Sequence, residues 1–133
     1  MPKTIRQTVT IQATPTEVYT VLMDSKKHSQ FTGAKASISK KVGGSFSTYD
    51  EYCYGINVEL IEGKKIVQTW QANDWKKDEA SKVTFTFAKN GKGTKLTFVH
   101  SGVPDSQVES IKKGWIDFYW TPLKAFFNKN NFY

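Results

Sequence analysis

The sequence has few of the residues from which enzymes and metal-binding domains build their sites. It contains one cysteine, Cys53, and two histidines, His28 and His100, which lie far apart in the chain. One cysteine excludes an internal disulfide and a cysteine-based metal cluster, and the two histidines form no metal-binding motif. No Ser/His/Asp or Cys/His arrangement, HExxH motif or phosphate-binding loop is recognisable. We therefore expect no catalytic residues, no metal and no cofactor.

Arginine is scarce, although the chain is basic. Lys and Arg together number 19 against 12 Asp and Glu, which gives a formal net charge of +7, yet Arg6 is the only arginine. The lysines are scattered, mostly as pairs at predicted turns and element ends, where they keep a sheet soluble. Because arginine supplies the bidentate contacts to phosphate and guanine, we predict a solvated surface rather than a nucleic-acid interface. Such a surface retains a general attraction for acidic partners.

Long apolar runs are absent as well. No uninterrupted run approaches the roughly 20 residues that a membrane span needs. The first ten residues, MPKTIRQTVT, lack the apolar core of a secretory signal. A length of 133 residues fits one domain that buries its own core. We expect residues 1–133 to form a single domain in the cytoplasm.

The first third of the chain predicts one strand and two short helices. Apolar and polar residues alternate in KTIRQTVTIQA, which is typical of a half-buried strand. In TPTEVYTVLMD, Thr14 is the predicted N-cap, Pro15 occupies the first helical position and Glu17 completes a capping box. SKKHSQFTG predicts a second helix that ends at Gly33, with His28 at the surface.

The rest of the chain predicts strands followed by one long helix. Two short strands, in KASISK and GGSFSTYD, precede a hairpin that turns at EGKK and a second that turns at KNGKG. A long helix begins after VPDSQ. This order predicts an α+β fold: a curved antiparallel sheet of about six to seven strands, with the last helix across its concave face.

The last helix carries more apolar surface than one sheet can cover. At about 100° per residue, one stripe contains seven residues: Val108, Ile111, Trp115, Phe118, Tyr119, Pro122 and Phe126. A second apolar sector lies beside it: Ile116, Trp120, Leu123 and Phe127. Three covers for the second sector are open, namely the N-terminal helices, an internal cavity or an exposed partner surface. Pro122 also predicts a kink, because proline removes a helical hydrogen bond.

Aromatic side chains are the remaining candidates for a binding site, because rings from the sheet and the last helix converge if the helix lies across the sheet. Phe31 and Trp75 are expected at the mouth of the resulting cavity. His100 shares a strand face with apolar residues and is either a bonded core histidine or a general base. The candidate cavity residues are Phe31, Trp70, Trp75, Phe85, Phe98, His100, Trp115, Phe118 and Tyr119. The same rings can instead simply fill a core.

Five segments together resemble the activator of heat-shock protein 90 ATPase family. They are TPTEVYTVLMD, GGSF, IVQTWQANDW, VTFTFAKNGKGTKLTFVHSGVP and GWIDFYWTPLKAFF, and they cover nearly the whole chain. The likeness is greatest to the C-terminal domain of the eukaryotic activator, in the START-like (SRPBCC) helix-grip superfamily. The resemblance implies a helix-grip fold and two different functions. START-like domains commonly hold an apolar ligand under the grip helix, whereas the eukaryotic activator binds the chaperone's N-terminal domains and promotes ATP-dependent closure.

Three functional hypotheses follow. The first is a non-enzymatic binding protein that holds a small hydrophobic molecule in an apolar cavity between the C-terminal helix and the sheet. The alternative is a co-chaperone-like partner that stimulates the ATPase of a heat-shock protein 90 homologue. A second alternative is a cyclase- or hydratase-like enzyme that uses His100 or a tyrosine facing an open cavity.

Overall fold

The computed structural model describes residues 3–50, 52–75 and 80–131, the last four of them through their backbone. Strand β1 (Lys3–Ile11) leads into helices α1 (Pro15–Met23) and α2 (Ser25–Thr32). Six strands follow: β2 (Ser37–Ile38), β3 (Ser45–Thr48), β4 (Cys53–Ile61), β5 (Lys65–Ala72), β6 (Ser81–Asn90) and β7 (Gly93–Val103). After a 3-10 turn (Asp105–Gln107), the C-terminal helix consists of α3 (Val108–Trp115), a π-helical turn (Ile116–Trp120) and α4 (Thr121–Asn131).

The seven strands form one antiparallel sheet in the order β1-β7-β6-β5-β4-β3-β2. The helices cover one face of this sheet, and the core lies between them. Alternation along the strands decides which side chains enter it. Val83, Phe85 and Phe87 of β6 are buried there, opposite the buried Phe98 and His100 of β7. The predicted α+β helix-grip architecture is confirmed.

Local signals at the N-terminal helices act as the sequence predicts. The Thr14 hydroxyl accepts a hydrogen bond from the Glu17 N–H over 3.2 Å, and Glu17 Oε1 accepts one from the Thr14 N–H over 2.9 Å. This reciprocal capping box satisfies two N–H groups that the helix start leaves free. Gly33 ends α2 with φ at +76°, a conformation that glycine adopts without a steric penalty.

The C-terminal helix departs from regular α-helical geometry. Four of its buried residues, Trp115, Tyr119, Leu123 and Phe127, are spaced by four, and an α-helix would rotate this series by about 40° at each step. The π-helical turn, closed by the bond from the Thr121 N–H to the Ile116 carbonyl, takes up part of that rotation. All four side chains therefore face the core.

The π-helical turn also corrects the predicted placement of Phe118. A wheel at a constant angle puts Phe118 on the buried stripe, but 58% of this residue is exposed. Where Pro122 predicts a kink, the structure has a π-helical turn that ends at Trp120, two residues before the proline. The prediction that Phe118 is buried fails because the helical wheel assumes one helical period throughout the segment.

Strand β1 and helix α2 cover most of the second apolar sector. Trp120 donates its indole N–H to Gln7 Oε1 of β1 over 2.7 Å, and its ring lies 5.2 Å from that of Phe98. Helix α4 contacts both α2 and β1. Of the sector, only Ile116 stays exposed, at 45%. Packing within the fold therefore covers Trp120, Leu123 and Phe127.

Side chains from outside the C-terminal helix satisfy two of its carbonyl groups. Pro122 has no N–H to offer the carbonyl of Phe118 four residues earlier, and the Tyr49 hydroxyl donates a hydrogen bond to that oxygen instead. Gln7 Nε2 donates to the Lys112 carbonyl over 3.1 Å. The irregular helix is thus held from both sides, by β1 and by the β3–β4 turn.

Candidate functional site

A pocket of about 310 Å³ opens between the C-terminal helix and the β3–β4 turn. We name it the helix-edge pocket. Its lining consists of Tyr49, Tyr52, Trp70, Ser110, Ile111, Gly114, Trp115, Phe118 and Tyr119. Four of these were predicted as cavity residues from the sequence: Trp70, Trp115, Phe118 and Tyr119. Six aromatic rings surround the pocket, and none of the residues in the described ranges that line it is charged.

The space directly under the helix is much smaller than the helix-edge pocket. It measures about 20 Å³, room for about one water molecule. Trp115 packs in this region, with its ring 4.3 Å from that of Phe98 and 4.5 Å from that of Tyr119. The open volume therefore lies beside the C-terminal helix, and not in the cavity between helix and sheet that the sequence predicted.

Five predicted cavity residues do not line the helix-edge pocket: Phe31, Trp75, Phe85, Phe98 and His100. Phe31 and Trp75, expected at a mouth, are buried at 6% and 8% exposure. Phe31 packs on the Tyr119 ring at 5.9 Å, and Trp75 on the Trp70 ring at 5.3 Å. Both rings thus pack against pocket residues within the core and do not stand at an opening.

The remaining pocket residues were missed by sequence reasoning. Two of them, Ser110 and Gly114, precede the predicted Phe118 at intervals of four, a helical spacing that signals a shared face. Tyr49 and Tyr52 gave no such signal, because a turn positions them. Tyr49 and Asp50 have φ values of +52° and +55°, which aims the Tyr49 side chain at the C-terminal helix.

His100 is completely buried behind the pocket and bonded at both ring nitrogens. Trp115 donates its indole N–H to His100 Nδ1 over 3.0 Å, so Nδ1 carries no proton. His100 Nε2 therefore donates to Ser81 Oγ over 2.7 Å, and Ser81 donates onward to the Trp70 carbonyl over 2.6 Å. Burial lowers the pKa of His100 to about 3. This histidine is a bonded core residue, and it faces no open cavity in which to act as a base.

His28 is also buried, at 4% exposure, which corrects its expected surface position. His28 Nδ1 lies 3.2 Å from the Leu22 carbonyl, which can only accept, so Nδ1 carries the proton. Nε2 then accepts from the Tyr119 hydroxyl over 3.2 Å. Tyr119 Oη lies 3.2 Å from the Thr48 hydroxyl as well. Burial lowers the pKa of His28 to about 4, although the Leu22 bond acts in the opposite direction.

Three of the aromatic lining residues use their polar atoms inside the protein. Trp115 bonds to His100, Tyr119 to the buried His28 and Thr48, and Tyr49 to the Phe118 carbonyl. Burial raises the pKa of both Tyr49 and Tyr119, so their phenols stay neutral. The helix-edge pocket therefore offers ring surfaces, and Tyr49 and Tyr119 are poor candidates for acid–base chemistry.

Metal and membrane features are absent from the described parts of the chain. Within residues 3–50, 52–75 and 80–131, no group of three His, Cys, Asp or Glu side chains could hold a metal ion. No helix in those ranges is long and apolar enough to cross a bilayer. Burial raises the pKa of the Cys53 thiol to about 12, which keeps it protonated and unreactive.

Residues 12–128 match the sequence profile of a family described as activator of Hsp90 ATPase homolog 1-like protein. This chain belongs to that family. The activator of 90 kDa heat shock protein ATPase homolog from Dictyostelium discoideum is 35% identical over 114 residues, which are 85% of this chain and 30% of the relative. The human homolog 1 is 28% identical over 118 residues, 89% of this chain and 35% of that protein.

Solved structures of other proteins share the fold of this activator-family chain. An Hsp90 activator from Plasmodium falciparum superimposes with a TM-score of 0.87 at 24% identity, over 92% of this chain and 94% of that one. A protein from Chromobacterium violaceum gives a TM-score of 0.79 at 25% identity, over 96% and 98% of the two chains. The chain spans only about a third, 30% to 37%, of the curated relatives it matches.

Proposed function

We propose that this chain binds a chaperone of the heat-shock protein 90 class and stimulates its ATPase. The observation that carries the proposal is the family match over residues 12–128, together with relatives that are named as activators of this ATPase. The chain then regulates another protein's catalysis and needs no catalytic residues of its own. A role through surface contact agrees with the bonded core position of His100, which leaves no histidine in the helix-edge pocket.

The surface properties of the chain also suit this role. Its net charge of +7 attracts an acidic partner and accelerates encounter at low ionic strength. Phe118 and Tyr52 are 58% and 38% exposed beside the helix-edge pocket, and aromatic residues are enriched at protein interfaces. Together they supply electrostatic steering and an apolar contact.

The proposal is tested with full-length heat-shock protein 90 from Dictyostelium discoideum, the organism of the 35% identical relative. ATP turnover is measured as this chain is added to saturation, at about 0.1 M and about 1 M salt, between which the screening length falls from about 10 Å to about 3 Å. We expect faster turnover, with a higher concentration needed at high salt. Unchanged turnover at saturation would contradict the proposal.

A second candidate function is the binding of a small, uncharged apolar molecule in the helix-edge pocket. The volume of about 310 Å³ lies at the lower end of the roughly 300–1,000 Å³ of small-molecule sites, and the lining residues that the structure describes are uncharged. Thermal unfolding with indole and 2-naphthol as probes tests this function, because a ligand of the native state raises the midpoint. A rise in the wild type that disappears in Gly114→Leu supports it, and equal midpoints with and without the probes contradict it.

A further inference from the structure

We propose that Asn90 is a site of spontaneous covalent modification, at which the side-chain amide of the folded protein becomes a carboxylate. Asn90 ends β6 and pairs with Gly93, the first residue of β7, so Gly91 and Lys92 form the turn of the β6–β7 hairpin. The site shares no residue with the helix-edge pocket, and it is independent of the proposed ATPase-stimulating function.

The residue after Asn90 allows the reaction. The backbone nitrogen of residue 91 must reach the side-chain amide carbon of Asn90, and a side chain on residue 91 would hinder this approach. Gly91 has none, and a Cβ atom built there meets nothing within 4 Å beyond its chain neighbours. Of the six asparagines in the sequence, Asn90 alone precedes a glycine.

The folded hairpin leaves both reacting groups accessible. Asn90 and Gly91 are exposed, and Gly91 lies outside the paired residues of the β6–β7 ladder. Its φ of +61° is a conformation that glycine adopts freely. The amide of Asn57 shows the contrast, because it is buried and its nitrogen donates to the carbonyls of Ser39 and Lys41 over 2.7 Å and 3.0 Å.

Positive charge around the turn assists the attack. The Gly91 nitrogen attacks after it loses its proton, and nearby cations stabilise the anion that forms. Residues 87–96 contain no acidic residue and three exposed lysines, Lys89, Lys92 and Lys95. The start of α1 borders the same turn, and its acidic side chain, Glu17, accepts a hydrogen bond from the Thr14 N–H over 2.9 Å.

The reaction needs water as its only co-reactant. The Gly91 nitrogen forms a bond to the side-chain amide carbon of Asn90, the bond from this carbon to the amide nitrogen breaks, and ammonia leaves with the Gly91 proton. Water then opens the resulting five-membered imide ring at one of its two carbonyl carbons. Opening at the main-chain carbonyl gives isoaspartate, in which the chain runs through the side-chain carbon, and opening at the other gives aspartate.

The two products affect the hairpin differently. Aspartate keeps the main chain and places a carboxylate between two lysines, which is electrostatically favourable. Isoaspartate lengthens the main chain by one carbon next to Gly93, where a Cβ atom would already meet the Ile11 carbonyl oxygen at 2.6 Å. Thr94 is fixed as well, since its hydroxyl donates to the Ala13 carbonyl over 2.7 Å. Isoaspartate therefore strains the end of the hairpin.

The test incubates the folded chain at mildly alkaline pH and follows the gain in mass of its chymotryptic peptides. Cleavage after aromatic residues and leucine places Asn57, Asn73 and Asn90 in three separate peptides. Asn73 is the matched control, because it is exposed like Asn90 but precedes Asp74. We expect Asn90 to convert about tenfold faster or more than Asn73 and Asn57, and the same peptide of Asn90→Gln to keep its mass.

Two results of the incubation would overturn the proposal. Conversion of Asn90 in urea but not in the folded chain would show that the hairpin protects the amide. Equal rates at Asn90 and Asn73 would show that Gly91 has no effect. The isoaspartate form, separated by cation exchange, should also unfold at a lower temperature than Asn90→Asp, which stands for the aspartate product. Equal unfolding midpoints would overturn the strain assigned to the hairpin.

Discussion

The indole N–H of Trp115 donates a hydrogen bond to Nδ1 of His100, with 3.0 Å between the two nitrogens. Trp115 belongs to the C-terminal helix and His100 to strand β7, next to the edge strand β1, so this bond joins the helix to the sheet at the back of the helix-edge pocket. It also determines the chemistry of His100. Nδ1 cannot take up a proton without losing this bond, because its lone pair accepts from the tryptophan.

The two histidines are expected to be opposite tautomers. His100 accepts at Nδ1 from Trp115 and so carries its proton on Nε2, whereas His28 donates from Nδ1 to the Leu22 carbonyl and so accepts at Nε2. Long-range ¹H–¹⁵N correlation spectra of the imidazole rings distinguish these forms at neutral pH. Two histidines in the same tautomer would contradict the described bonding.

Stability should fall as the pH drops below about 6.5. Burial lowers the pKa of His100 to about 3 and that of His28 to about 4, from 6.5 in the unfolded chain. Between pH 6.5 and about 4 the unfolded state binds more protons, so the free energy of unfolding increases with pH and reaches its full value above 6.5. Each histidine contributes up to about 1.4 kcal/mol per pH unit.

Urea unfolding at a series of pH values from about 7 to about 4.5 measures this slope. His28→Asn serves as the comparison, because it should remove one histidine's share of the slope and leave that of His100. A free energy of unfolding that stays constant between pH 6.5 and 4.5 would show that the histidines titrate normally in the folded protein, against the buried positions described here.

The Tyr49 hydroxyl should contribute more to the free energy of unfolding when Pro122 is present than when it is replaced. Tyr49→Phe leaves the Phe118 carbonyl without its donor, at a cost of about 1 kcal/mol. Pro122→Ala restores a backbone N–H to the helix, which reduces the cost of losing Tyr49. A double-mutant cycle by urea unfolding measures the coupling, expected at about 0.5–1 kcal/mol. Additive effects of the two substitutions would contradict the compensating role of Tyr49.

Gly114→Ala should stabilise the fold by up to about 1 kcal/mol, because alanine is the better helix former and its Cβ meets only an ordinary contact. Gly33→Ala provides the opposite control, since φ is +76° there and an alanine is strained. Thermal and urea unfolding compare both variants with wild type. A destabilised Gly114→Ala would mean that packing, and not the pocket, requires the glycine.

Much of the fold was predictable because its signals are local. The capping residues Thr14 and Glu17, the terminating Gly33 and the alternation along β6 and β7 all act over a few residues. Such signals give the element order, and the order of the five resembling segments gives the family. Four pocket residues were also predictable, because large rings on the sheet and the last helix converge once the helix crosses the sheet.

The rest depends on contacts between distant residues. The phase of the C-terminal helix changes at the π-helical turn, where Gln7 and Tyr49 satisfy carbonyls from opposite sides, and a helical wheel contains neither contact. His28 reads as a surface residue because its neighbours are polar, but its ring bonds to Tyr119, 91 residues away. Tyr49 lines the pocket from a turn in which Tyr49 and Asp50 have positive φ values. Neither residue is a glycine, so the sequence does not mark this turn.

The most direct test of this account is an NMR titration of ¹⁵N-labelled chain with full-length Dictyostelium discoideum heat-shock protein 90 and ATP. We predict that the amide signals of Tyr52, Gly114 and Phe118, around the helix-edge pocket, shift or broaden first. Signals of Tyr54 and Ile56 on the opposite face of the sheet should stay in place. No perturbation at saturating chaperone, or a perturbation confined to that opposite face, would contradict the account.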